Sequence, residues 1–248
     1  MDYQLKQKEH YNKIAEKYAL HYGDKYSQMY RKRFVYDRLL SKNSFTEKKV
    51  LEAMAGSGES SEYLLSRSAS LYSLDISFVQ VEELKRRFSN SNAVCGSILK
   101  TGFKDQSFDS IVVIGGLHHL HPRLYEAIEE IYRLLKRKGK FFFFEPHKGS
   151  LPDFFRRIWY KHDPLFVKNE ESINIDSLIK DFSQYFHFKN IEYHGNIAYL
   201  LIYNSMILRI PLWIKKIYAI PILSVEKLVS SLETKFFSFY SLVKAEKK

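Results

Sequence analysis

Two acidic residues and two glycines stand at a telling spacing in the first third of the chain. Glu52 lies within a short apolar run, Gly56 and Gly58 follow in a tight turn, and Asp75 ends a second apolar run. Glycine lets the backbone approach a ligand, and a carboxylate at the end of the next strand can accept hydrogen bonds from two ribose hydroxyls. Asp75 follows the glycine turn by about 20 residues, which is the spacing at which a nucleotide-binding βαβ unit places its ribose-binding carboxylate. The pattern predicts such a site, although a purely structural glycine turn remains an alternative.

Three histidines occur in residues 115–121, directly after the apolar run of residues 110–114. Ligands of open α/β sheets bind beyond the carboxyl ends of the strands, so chemistry is expected here. A neutral imidazole can take a proton from an attacking hydroxyl or amine, which makes His118, His119 and His121 candidate bases. His118 is preferred because it lies closest to the strand, and a structural helix cap is the alternative. No acid or cysteine stands nearby at ligand spacing, so we predict no metal site.

The elements that position these residues follow from the apolar pattern. The run over residues 110–114 does not alternate, which indicates a strand buried on both faces of a parallel sheet. Helices are predicted over residues 78–88, capped by Ser77, and over residues 123–136, ended by Gly139. Near the N-terminus a second helix includes residues 29–34, whose basic side chains are expected to face solvent, with contact to a carboxylate as the alternative. The remaining strands are predicted over residues 50–53, 71–74, 92–95, 141–146, 186–193 and 236–243.

At these positions the sequence resembles the class I S-adenosylmethionine-dependent methyltransferases. In that family an acid ends the first strand, a Gly-x-Gly-x-Gly turn follows, and the acid after the second strand holds the ribose. Glu52, Gly56, Gly58 and Asp75 match this pattern, and Met54 replaces the first glycine. Ser97 stands where the family usually has an acid that binds the adenine amino group. The resemblance extends over residues 10–147 and the last strand.

The resemblance implies an α/β fold with a Rossmann-like, seven-stranded, mostly parallel sheet, helices on both faces and an antiparallel last strand. We expect a single domain, with an N-terminal helical lid (1–45), a core (46–195 and 235–248) and a helical insert or cap (196–234). The implied cofactor is S-adenosyl-L-methionine, with aromatic lid residues near its sulfonium. The implied cofactor-binding residues are Tyr11, Tyr18, Glu52, Ala53, Gly56, Gly58, Asp75, Ile76, Ser97, Ile98 and Gly115.

Composition limits the partners of the chain. The net charge of +11 fits an anionic membrane surface, an anionic substrate or a solvated surface, but no arginine-rich run favours nucleic acid. One cysteine, Cys95, excludes an intramolecular disulfide, which suits a reducing cytoplasm. The polar N-terminus resembles no secretory signal. Residues 196–234 contain Trp213 beside two lysines, so peripheral contact at the inner face of a membrane is an alternative to a pocket-closing cap or a dimer contact.

The reaction implied by the resemblance is methyl transfer from S-adenosylmethionine to a small-molecule acceptor. Alignment of donor and acceptor and exclusion of water are the main requirements, and a base matters most for an alcohol. We therefore expect an O-methyltransferase that acts on a sugar, a lipid-linked molecule or a quinone-like molecule. A non-catalytic scaffold and a membrane-surface module built on residues 196–234 are the alternatives.

Overall fold

Seven strands form one sheet in the computed structural model, which describes Glu9, Asn12 and residues 20–163, 170–230 and 233–248. The strand order is β3-β2-β1-β4-β5-β7-β6. β7 pairs antiparallel with β5 and β6, whereas the other neighbours pair parallel. The predicted sheet with an antiparallel last strand is therefore confirmed. The strands are β1 (Lys49–Ala53), β2 (Ser70–Asp75), β3 (Asn92–Cys95), β4 (Phe108–Ile114), β5 (Leu135–Pro146), β6 (Phe186–His194) and β7 (Tyr240–Lys247).

Helices cover both faces of this sheet. The α-helices used below are α1 (Lys25–Tyr30), α2 (Asp37–Leu39), α3 (Ser61–Leu65), α4 (Phe78–Arg87), α5 (Leu124–Leu134), α6 (Leu151–His162), α7 (Ile175–Phe182) and α8 (Leu212–Val229). The described residues also include two π-helical segments, Arg31–Tyr36 and Tyr199–Tyr203, and a 3-10 helix, Leu117–Leu120. Buried side chains of α1, α3 and α8 belong to one core cluster, and those of α5 and α7 belong to the other.

The four consecutive phenylalanines of β5 show how the sequence builds both clusters. Phe142 and Phe144 belong to the cluster that includes α8, whereas Phe141 and Phe143 belong to the cluster that includes α5. Successive side chains of a strand point to opposite faces of the sheet. An apolar run without alternation therefore requires helices on both sides, as the sequence predicts.

Two predicted boundaries are wrong. α5 ends at Leu134 and the chain passes directly into β5, so Gly139 does not stop the helix. Instead, Gly139 lies inside β5, where a Cβ atom would come within 2.7 Å of the Lys136 carbonyl oxygen. The last strand begins at Tyr240 rather than at residue 236 and continues to Lys247. Its lysine-rich end is accommodated because the Lys247 ammonium donates to the carbonyl oxygens of Tyr132 and Leu135, at 2.7 and 2.9 Å.

The predicted helical insert contains the second π-helical segment and α8. Among the described residues, no helix combines the length and the apolar character that crossing a membrane requires. The inner side of α8 carries Lys215, whose ammonium is fully buried and donates to Asp24 Oδ2 at 2.5 Å and to Ser27 Oγ at 2.6 Å. Asp24 also caps α1. This buried ion pair fastens the N-terminal helix to the insert.

Replacing the buried lysine is expected to destabilise the fold. Lys215→Ala should lower the free energy of unfolding by about 3 kcal/mol, because it leaves a largely buried carboxylate without its cation and opens a cavity. Its exposed neighbour provides a matched control, and Lys216→Ala should change the free energy of unfolding by less than about 0.5 kcal/mol. Urea denaturation measures both. Equal effects of the two variants would contradict the prediction.

Candidate active site

Asp75, at the end of β2, is surrounded by backbone donors. Its Oδ2 accepts a hydrogen bond from the Gly56 N–H and its Oδ1 accepts one from the Ser77 N–H, each at 2.8 Å. Gly56 has a φ of +56°, a conformation that glycine adopts without strain. Burial raises the pKa of Asp75 although both hydrogen bonds oppose the shift. The carboxylate thus fixes the glycine turn, and each oxygen keeps a lone pair for a hydroxyl.

Glu52, in β1, is buried beneath the same turn. Its carboxylate accepts hydrogen bonds from the hydroxyls of Ser60, Ser61 and Ser73. Burial raises the pKa of Glu52 to about 7, against the effect of the three hydroxyl donors. Because Ser60 and Ser61 begin α3, this carboxylate anchors the helix that follows the turn.

Met54 stands where the resembled family has the first glycine of the turn. It adopts a left-handed backbone conformation, which glycine would adopt without strain. Its φ is +56°, which costs a residue with a side chain about 1 kcal/mol. The side chain packs directly on Gly116, because a Cβ atom at Gly116 would lie 2.8 Å from Met54 Cβ and Sδ. The glycine after β4 therefore makes room for the methionine after β1.

Two neighbouring clefts meet at Asp75. The larger has an empty volume of about 790 Å³, part of it open to solvent, and the smaller about 330 Å³. Met54, Asp75 and Ile76 line both. Of the expected cofactor residues, the larger cleft also includes Glu52, Ala53, Gly56 and Gly115, and the smaller includes Ser97 and Ile98.

Three expected residues stand apart from this group. Gly58 lines neither cleft and lies against Phe88 and Ser61, where a Cβ atom would come within 2.9 Å of each side chain. Tyr11 and Tyr18 lie outside the described residues. Asn12, which is described, accepts a hydrogen bond from the Ser77 hydroxyl. Asn12 is therefore linked through Ser77 to the Asp75 carboxylate.

His118 is held by Glu145, a fully buried residue at the end of β5 that the sequence analysis missed. Glu145 Oε1 accepts hydrogen bonds from the N–H groups of Gly116 and Leu117, at 2.7 and 2.6 Å, and Oε2 lies 2.7 Å from His118 Nδ1. Burial raises the pKa of Glu145 to about 7. Burial and the neighbouring His119 lower the pKa of His118 well below its usual value. His118 is thus an oriented and neutral imidazole.

His119 lines the larger cleft, whereas His118 and His121 do not. Its Nδ1 lies 3.4 Å from Glu170 Oε1. Burial opposes protonation, but the charge of Glu170 outweighs it and raises the pKa of His119. Burial lowers the pKa of His121. Among the described residues, ligand atoms of His118, His119 and Glu170 lie within 4.8 Å of one another, so the fold supplies the acid that was not visible near the histidines in the sequence.

Arg31 lies buried on the wall of the larger cleft, so the expectation that this basic stretch faces solvent is wrong at this position. Its guanidinium is 3.9 Å from Glu59 Oε2 and lies 5.3 and 5.1 Å from the ring centres of Tyr22 and Tyr203. Lys32 and Arg33 are exposed, as expected. Arg31 begins the first π-helical segment and Tyr203 ends the second.

The two adjacent histidines are expected to titrate on opposite sides of the ordinary imidazole pKa, which is about 6.5. His119 should gain its proton above this pH as the pH falls, and His118 should stay neutral through it. Proton-detected NMR of the ring C–H groups measures both, with His118→Gln and His119→Gln as assignment controls. Two midpoints near 6.5 would contradict the prediction.

Known proteins resemble the chain in sequence. Residues 51–143 match the family profile described as a methyltransferase domain. An uncharacterized protein of Methanocaldococcus jannaschii is 33% identical over 135 residues, which cover 54% of this chain and 58% of that protein. Demethylmenaquinone methyltransferase of Thermobifida fusca is 29% identical over 103 residues, which cover 40% of this chain and 43% of that protein. The chain spans less than two thirds of the length of either relative.

Solved structures share the fold over most of the chain. Magnesium protoporphyrin IX methyltransferase from Synechocystis PCC 6803, solved with bound SAH, matches over 100% of both chains with a TM-score of 0.66 and 13% identity. The PH0226 protein of Pyrococcus horikoshii OT3 matches over 90% of this chain and 92% of its own, with a TM-score of 0.58 and 19% identity. The chain therefore contains a match to a methyltransferase domain over residues 51–143 and shares the fold of a solved methyltransferase over its whole length.

Proposed function

We propose that the protein transfers a methyl group from S-adenosylmethionine to a small-molecule acceptor. The observation that carries the proposal is that Asp75 lines two neighbouring clefts, where its oxygens would accept hydrogen bonds from ribose hydroxyls. The adenine would occupy the smaller cleft beside Ser97 and Ile98, and the methionyl end would occupy the larger cleft.

The charges on the wall of the larger cleft suit that methionyl end. Glu52, Glu59 and Asp75 offer carboxyl groups to a ligand that carries a cationic sulfur and an ammonium group. Arg31 offers the complementary cation, and we assign it to the carboxylate of the methionyl group. A guanidinium can donate two parallel, charge-assisted hydrogen bonds to a carboxylate, and burial strengthens them. Glu59 Oε2 lies 3.9 Å from the Arg31 guanidinium, so groups of both charges line the same part of the cleft.

Bound S-adenosylmethionine supplies a methyl group on a positively charged sulfur, which is a good leaving group. The protein then has to align the acceptor and exclude water. We assign His119, on the cleft wall, to positioning of the acceptor and His118 to removal of its proton. Glu145 orients the His118 ring. Because the His118 imidazole is neutral, it can accept a proton. We assign no part in the reaction to His121, because neither the cleft lining nor the group formed by His118, His119 and Glu170 includes it.

A quinone-like or lipid-linked acceptor is the class that we favour, over a sugar. One similar protein is a demethylmenaquinone methyltransferase, although this chain spans only 43% of it. Peripheral contact of residues 196–234 with a membrane would bring such an acceptor to the cleft.

Calorimetric titration with S-adenosylmethionine and S-adenosylhomocysteine tests the cofactor site. Asp75→Ala is expected to weaken binding of both by at least tenfold, about 1.4 kcal/mol, because it removes the ribose acceptor. Asp105→Ala, which alters an exposed carboxylate, should bind as the wild type does. Failure of the folded wild type to bind either ligand would replace the proposal by the non-catalytic scaffold.

The same titrations test the assignment of Arg31. Arg31→Met should weaken binding of S-adenosylhomocysteine more than binding of 5′-methylthioadenosine, which lacks the amino-acid carboxylate. Arg33→Met, at an exposed position, serves as the control. Equal losses for the two ligands would show that Arg31 acts on the fold of the cleft rather than on the carboxylate.

Methyl transfer to a short-chain naphthoquinol and a short-chain hydroquinone tests the reaction and the acceptor class. His118→Ala should lower kcat by about 10²-fold with little change in the affinity for S-adenosylmethionine, as expected for loss of a base. His187→Ala, on the surface of β6, is the control, and mass spectrometry separates O-methylated from C-methylated product. A chelator should leave the rate unchanged. Loss of activity that zinc restores would instead indicate a metal at His118, His119 and Glu170.

A further inference from the structure

The apolar stripe of α6 faces away from the protein. Leu151, Phe154, Phe155, Ile158 and Trp159 recur at the i, i+3, i+4, i+7, i+8 spacing that normally marks a buried helix face, yet they are 39% to 61% exposed. The buried residue of this helix is Asp153 instead. Its carboxylate accepts hydrogen bonds from Arg156, Ser172 and the Gly149 N–H. α6 is therefore an amphipathic helix whose polar side lies inside.

α8 has an exposed apolar stripe as well. Its inner side buries Lys215, Ala219, Leu223 and Glu226. On the opposite side, Trp213, Ile217, Ile220 and Leu228 follow one another at helical spacing and are 49% to 76% exposed. Large apolar side chains thus line the outer side of two separate helices.

Hydrogen bonds at both ends of α6 tie it to the segment that carries α8. At its C-terminal end Asp163 Oδ1 accepts a hydrogen bond from Arg209, just before α8, at 3.0 Å. At its N-terminal end the Leu151 N–H donates to the Phe236 carbonyl oxygen, after α8, at 2.8 Å. Phe236 and Phe237 are also more than half exposed. We call the exposed stripes of α6 and α8 and these two phenylalanines the outer apolar surface.

The exposed charges on these helices are all positive. In α6 the exposed ionisable residues are Arg157, Lys161 and His162, whereas Asp153 is buried. In α8 they are Lys216 and Lys227, whereas Glu226 is buried. Lys216 lies three residues after Trp213 and four before Ile220, so it flanks the apolar stripe of its helix. The exposed apolar stripes of both helices therefore have a cationic border.

We propose that the outer apolar surface docks on an anionic lipid bilayer. Tryptophan and phenylalanine partition into the interfacial region of a bilayer, and lysine or arginine beside them is attracted to anionic headgroups. An interface between two copies of the chain would place these cations, together with the rest of a net charge of +11, opposite one another. Charge complementarity therefore favours the anionic bilayer as the occupant. The proposal concerns binding alone and does not depend on the identity of the methyl acceptor.

Cosedimentation with vesicles tests the proposal. The full chain should bind vesicles of equal parts phosphatidylglycerol and phosphatidylcholine, and high salt should weaken the binding because exposed charges are screened. Phosphatidylcholine vesicles alone should bind much less protein. Phe155→Ser combined with Ile158→Ser should weaken partitioning at least tenfold, and so should Lys161→Glu combined with Lys227→Glu, since each lysine near the surface contributes roughly fivefold.

Two surface changes elsewhere serve as matched controls. Tyr185→Ser, before β6, and Lys189→Glu, on β6, should partition as the wild type does. Urea denaturation and S-adenosylhomocysteine binding verify that every variant is folded. Absence of binding to anionic vesicles by the folded wild type would overturn the proposal. So would a dimer in sedimentation equilibrium that Phe155→Ser with Ile158→Ser converts to monomer, because the surface would then be an interface between copies.

Discussion

Buried carboxylates at the carboxyl ends of β1, β2 and β5 determine the arrangement of the site. A buried carboxylate is costly unless its lone pairs are satisfied, so neighbouring donors are drawn to it. Asp75 takes the N–H groups of Gly56 and Ser77, Glu52 takes serine hydroxyls, and Glu145 takes the N–H groups that follow β4. Each carboxylate thus fixes the loop of a strand next to its own or the start of a helix.

This arrangement has an electrostatic consequence. Burial raises the pKa of Glu52, Asp75 and Glu145, so the folded protein maintains acids that would ionise more readily in water. Hydrogen bonds from backbone N–H groups and hydroxyls offset only part of the free-energy cost of burying these carboxyl groups in their charged form. A ligand that brings positive charge and hydroxyl groups into the larger cleft would offset more of this cost. The methionyl and ribose parts of S-adenosylmethionine have this chemical character. The buried carboxyl groups that cost the fold stability are therefore the groups that would favour the cofactor.

The sequence predicted the features that depend on neighbouring residues, and it did not predict contacts between residues far apart along the chain. The strands and most helices followed from apolar runs, Asp75 followed from its spacing after the glycine turn, and Ser97 and Ile98 followed from the family resemblance. Arg31, Glu145 and Glu170 had no local signal: a buried arginine in a basic helix looks like a solvated one, and a glutamate after four phenylalanines looks like a strand end. Met54 illustrates the same limit, because its place in the turn depends on Gly116, which follows β4. Only the folded chain shows that Met54 and Gly116 pack against each other.

The two sides of α8 connect the remaining parts of the molecule. Its inner side holds α1 through the ion pair of Lys215 with Asp24, and Glu226 accepts a hydrogen bond from the Tyr30 hydroxyl at 3.4 Å. Tyr30 directly precedes Arg31, so the guanidinium on the cleft wall is positioned by the same helix whose outer side is apolar. Buried ion pairs and packed tyrosines resist local opening, because removal of either partner exposes an unsatisfied group. The outer side of α8 is therefore joined to the wall of the larger cleft through buried contacts of its inner side with α1.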